Sequence, residues 1–98
     1  MTERPLAGTP DDVLSLCRAL RDATGLLGLN PANESELITR VDLAEQAATA
    51  APIDMPGMVI QVRAIRYQLV EVADGPISAF MADDAARILG DGIGKLFS

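Results

Sequence analysis

The chain has 98 residues, 49% of them hydrophobic, a formal net charge of −6, a single cysteine and no histidine. That length suits one domain built on one core and leaves no room for two, and the acidic field opposes the approach of a phosphate backbone. Without histidine, Ser-His and Cys-His catalysis and Cys/His zinc sites are excluded.

Fifteen alanines carry much of the hydrophobic fraction, so the core should be tight and small-featured. Only Tyr67, Phe80 and Phe97 are aromatic, which removes most stacking platforms for single-stranded nucleic acid.

The first nine residues, with Pro5 and Gly8, read as a flexible lead-in. Thr9-Pro10-Asp11-Asp12 has the grammar of a helix start: a hydroxyl cap, proline at the first helical position, and two carboxylates at the positive end of the dipole. Val13, Leu16, Cys17, Leu20, Thr24 and Leu27 follow with helical spacing, so a first helix is expected over about 10–27. Gly25 and Gly28 are rival C-terminal glycines. Asn30-Pro31 breaks the chain. Asn33 with Glu36 three residues on then predicts a capped second helix over 33–50, with Leu37, Ile38, Val41, Ala44 and Ala48 inward and a Glu36–Arg40 pair outward.

Asp54 is the expected cap of a third helix over 55–73. Met58, Val62, Ile65, Leu69 and Val72 recur at alternating steps of four and three, and Val59, Ile60, Tyr67 and Val70 widen the apolar surface. Such a helix must be covered on several sides, either as the centre of a bundle or as half of a subunit interface. The β-branched residues invite a strand instead. Strict alternation fails, because Arg66 would share a face with Ile60 and Val62, and helix is the reading kept. Asp74-Gly75-Pro76 separates this element from a fourth helix over 76–90, expected to turn Ile77, Phe80, Met81, Ala85, Ile88 and Leu89 inward, to let Asp83 reach Arg87, and to end at Gly90. The segment 91–98, holding Ile93, Leu96 and Phe97, reads as a loosely structured apolar tail.

The expected fold is therefore all-α: one helical domain over 1–98, a compact bundle or orthogonal array of about four helices. The pattern resembles a group of small uncharacterised bacterial helical proteins, often alphaproteobacterial and near phage-like genes. The similar parts are Asp11 to Arg18, the exit into Ala51-Pro52, Gly57 opening the third helix, and Asp74-Gly75-Pro76 leading to Ala82-Asp83-Asp84-Ala85. The chain departs from that group at Met55-Pro56 and at Gln61. The resemblance implies a fold and a cytoplasmic setting, and it carries no activity.

Chemistry-bearing patterns are few. Cys17 sits on an apolar stripe with no base to activate it, and reads as a small buried hydrophobe. Gly90 to Lys95 lacks the glycine spacing of a phosphate-binding loop, since Leu89 stands where the first glycine belongs. Asp11 and Asp12 are accounted for by the helix dipole. Asp83 and Asp84 are solvated or arginine-paired carboxylates, with a hard-metal site for Mg²⁺ or Ca²⁺ as the alternative. No cofactor site is read, and no run approaches the length of a membrane span. The leading expectation is a non-enzymatic, cytoplasmic interaction or self-associating module, a homodimer or the binder of another protein. Its tentative interface is Met58, Val62, Ile65, Leu69, Val72, Ile93, Leu96 and Phe97. A small regulatory or nucleic-acid-associated factor is one alternative and needs Arg40, Arg63 and Arg66 to converge. A histidine-free enzyme using carboxylates and arginine is the other.

Overall fold

Each of the four helices carries a proline in its first or second position, where the missing N–H is harmless because the first turn has no intrahelical acceptor for it. The computed structural model describes residues 8–73 and 75–90. Over these, α1 spans Pro10–Ala23, α2 Pro31–Thr49, α3 Met55–Glu71 and α4 Pro76–Leu89, with a 3-10 turn at Thr24–Leu26. No strand occurs among the described residues, so the branched side chains of α3 obey their 3.6-residue spacing rather than their β preference.

The helix ends are set by local chemistry. Thr9 and Asp12 cap α1 reciprocally: the Asp12 N–H donates to Thr9 Oγ1 at 3.2 Å and the Thr9 N–H to Asp12 Oδ2 at 2.9 Å. The α-helix stops at Ala23, short of the expected residue 27, where the Thr24 hydroxyl donates back to the Leu20 carbonyl at 2.7 Å and the chain tightens into the 3-10 turn. Of the two rival glycines, Gly28 takes the left-handed conformation, at φ 70°.

The cap of α2 lies three residues earlier than the one expected at Asn33. Asn30 is the cap, its Oδ1 accepting the Asn33 N–H at 2.8 Å, because the residue before Pro31 is already held extended, the conformation a cap requires. Asp54 caps α3 through Gly57 N–H at 3.0 Å, and Gly90 closes α4 at φ 79° with its N–H on the Ala86 and Arg87 carbonyls.

The helices pack in a ring, α1 on α2, α2 on α3, α3 on α4 and α4 back on α1. The Gly8 N–H donating to the Ile88 carbonyl at 3.0 Å ties the start of the first helix to the end of the last. The core takes Val13, Leu16, Cys17 and Leu20 from α1, and Leu37 and Val41 from α2. Met58, Val62, Ile65 and Leu69 come from α3, and Ile88 and Leu89 from α4. Buried Ala44, Ala47, Ala48, Ala82 and Ala85 fill the closest approaches, which is the small-featured interior that the alanine content foretells.

Phe80 corrects the expected inner face of α4: it is 70% exposed, because the face that meets α3 is drawn by Ser78, Ala82, Ala85 and Leu89, and Phe80 stands on the far side of the helix from them.

Two polar side chains lie inside among the described residues: Ser78, whose hydroxyl donates to the Gly75 carbonyl at 2.8 Å, and Gln68. Gln68 is buried, its Nε2 donates to the Asn33 carbonyl at 2.8 Å, and its Oε1 has no partner. That carbonyl sits in the first turn of α2 and receives a helical donor regardless. The unpaired oxygen carries a desolvation cost of about 1–3 kcal/mol that an apolar replacement removes. Gln68→Leu should therefore unfold in denaturant within about 1 kcal/mol of the parent or above it. A loss beyond roughly 2 kcal/mol would show that the Nε2 bond is what holds α2 to α3.

Candidate functional site

Two apolar stripes run along α3, two residues out of phase. The first, Met58, Val62, Ile65 and Leu69, is buried by the chain's own helices, so the residues expected to form an interface are core within a single chain. Val72, expected to extend them, is 37% exposed, since α3 ends at Glu71, one residue before it.

The second stripe is bare. Ile60, Tyr67 and Val70, seven and then three residues apart, are 59%, 65% and 55% exposed on the outer face of α3. Arg63 lies between Ile60 and Tyr67 on the same side, and Arg66 and Glu71 flank it. Arg63, Arg66, Tyr67, Val70 and Glu71 together line a shallow depression of about 460 Å³. Val70 also borders an open groove against Ser78, Ala79 and Asp83 of α4. In the sequence Ile60, Tyr67 and Val70 read as widening the apolar surface of the buried helix, Arg63 and Arg66 as part of the basic patch of a nucleic-acid-associated alternative, and Glu71 carries no expectation. The signal that marks them is the interval 60, 63, 67, 70, a second helical stripe interleaved with the buried one.

Three other arginines are already engaged. Arg21 grips α2 from α1, with Nη2 and Nε on the two Glu45 oxygens at 2.6 and 3.2 Å and a further bond to Asp42, which raises its pKa further above the usual guanidinium range. Arg40 meets Glu36 at 3.7 Å, as the spacing predicts, and reaches Gln61 Oε1 at 3.5 Å. It therefore lies along the α2–α3 groove and does not join Arg63 and Arg66. Arg87 pairs with Asp84, three residues before it, and not with Asp83 as expected. No cluster of three or more metal-ligating side chains occurs among the described residues. Arg63, Arg66 and Glu71 form no ion pair among the described residues, so the outer face of α3 carries charge that nothing there neutralises.

Cys17 is fully buried and its thiol donates to the Val41 carbonyl at 3.7 Å. Burial, with Glu45 adding a smaller push, raises the thiol to about 12. The protonated thiol thus adds stability below pH 9.0, where the unfolded thiol is also protonated, and that contribution declines as the pH climbs toward 12. At pH 8 an aromatic disulfide reagent should label Cys17 no faster than the chain unfolds, followed by thiolate absorbance. Rapid stoichiometric labelling of folded protein would mean that the thiol has a route to solvent.

The tail residues Ile93, Leu96 and Phe97, and residues 1–7 of the lead-in, lie outside the described residues. No helix among the described residues is long and apolar enough to cross a membrane. No family model, curated protein or solved structure matches this chain.

Proposed function

We propose that the chain is a non-enzymatic protein-interaction module that docks through the outer face of α3. One observation carries this reading: Ile60, Tyr67 and Val70 are all more than half exposed and aligned on one face of one helix, whereas the other exposed large hydrophobes among the described residues are scattered over different elements. Single exposed hydrophobes are ordinary on any surface, but an aligned set with a charged rim is the pattern of a contact site. Tyrosine and arginine are also the residues that dominate binding energy where proteins meet, and Tyr67 is flanked by Arg63 and Arg66.

A photo-crosslinking amino acid at position 67 in the native cellular setting tests the reading, with position 22 on exposed α1 as the control. Discrete adducts from position 67 that are absent from position 22 are the expected result. Equal crosslinking from both positions, or none from position 67, would overturn it.

A further inference from the structure

The face that α3 leaves uncovered has a chemistry that matches itself when turned through a two-fold. Building on the docking reading, we propose that its occupant is a second copy of this chain, the two α3 helices packed antiparallel with the axis at the level of Ile65.

Two helices facing each other can share a two-fold in a parallel or an antiparallel sense. The parallel arrangement sets every residue against its own copy, so Arg63 would meet Arg63 in the middle of the contact, two like charges being desolvated together. The antiparallel arrangement removes that conflict. Pairing position 60 with 70 and position 63 with 67 lays Ile60 against Val70 of the other copy at both ends. In the centre it lays each Arg63 guanidinium over the ring of the other copy's Tyr67, the preferred contact of that cation.

Helical side chains lean toward the N-terminus. In antiparallel helices Arg63 therefore leans toward the other copy's Glu71, and Glu71 leans back toward Arg63. Within one helix these two residues stand about 12 Å apart along the axis, too far to meet, and neither has an ion-pair partner among the described residues. The second copy supplies each with the opposite charge, and all three exposed apolar side chains of the stripe are covered at once.

The test is sedimentation and light scattering of the full chain up to a few hundred micromolar, with circular dichroism confirming that each variant is folded. The parent should dimerise. Arg63→Glu and Glu71→Arg should each weaken the dimer about tenfold or more, and the double exchange should recover most of that loss, because attraction is restored only between copies. Mixing Ile60→Cys and Val70→Cys chains under mild oxidation should give the 60–70 crosslink in preference to 60–60.

A dimer that loses affinity in Tyr67→Glu but is not rescued by the exchange overturns the antiparallel pairing and leaves the docking face standing. A dimer indifferent to Tyr67→Glu overturns both the pairing and the face. A strict monomer overturns self-association, and crosslinks from position 67 to a different protein would then separate that failure from failure of the docking reading.

Discussion

Val62→Asp should abolish folding, whereas Val70→Asp on the same helix should leave the isolated chain folded. Val62 is fully buried, in the stripe of α3 that packs on its neighbours, and Val70 is 55% exposed two turns further on. An unpaired carboxylate buried among apolar side chains costs several kcal/mol even after it takes up a proton. A domain of this size has only about 5–15 kcal/mol of stability in total.

At position 70 the carboxylate stays in water, and the cost is limited to lost helix propensity of a few tenths of a kcal/mol. Far-ultraviolet circular dichroism with a thermal melt reads both variants. A cooperative melt for Val62→Asp near that of the parent would mean that the inner face of α3 is not the core. In a dimer built on the outer face, Val70→Asp should still weaken association, which sets its two effects apart by concentration.

That pair of substitutions shows how much of the molecule the sequence discloses. The stripe Met58, Val62, Ile65, Leu69 is legible because its spacing is helical and every member is large. The caps Thr9 and Asp54 are legible because hydroxyls and carboxylates before a proline-bearing first turn have one obvious use. Asn30-Pro31 carries the same grammar, yet the Asn33 to Glu36 run imitates a capping box three residues later and conceals it.

Two features were beyond pattern reading. Both faces of α3 are apolar, so spacing alone cannot say which one the chain covers for itself. The answer came from where α2 and α4 dock, which is a property of tertiary packing. Phe80 misleads for the opposite reason: a large aromatic draws the eye inward, while the face that does pack is marked by Ala82, Ala85 and Ala86, residues too small to stand out in a hydrophobic pattern. The candidate site inherits both difficulties, since Ile60, Tyr67 and Val70 look in sequence like more of the same core.

The alanine-rich interior leads to the second large effect, on α2. Leu37→Ala should cost about 2–5 kcal/mol and Leu43→Ala less than about 1 kcal/mol, in urea or thermal unfolding. Leu37 is completely buried and Leu43 is more than a third exposed, so the same side-chain atoms are deleted from two environments on one helix. The cost at Leu37 belongs at the upper part of the range for a reason specific to this chain. The inward face of α2 has only Leu37 and Val41 as fully buried large side chains, and the rest of its buried contact is made by Ala44, Ala47 and Ala48. Alanines cannot swing into a neighbouring void, because they have no rotatable side-chain bond beyond Cβ, and the cavity left by Leu37 can collapse only if whole helices move. α2 is held on one side by the Arg21 grip and on the other by α3, which resists such a shift. Equal losses at positions 37 and 43 would show that α2 slides freely in its seat. A loss confined to Leu37 would place its grip on the bundle in the first two turns, beside Gln68, where the helix has its one long apolar anchor.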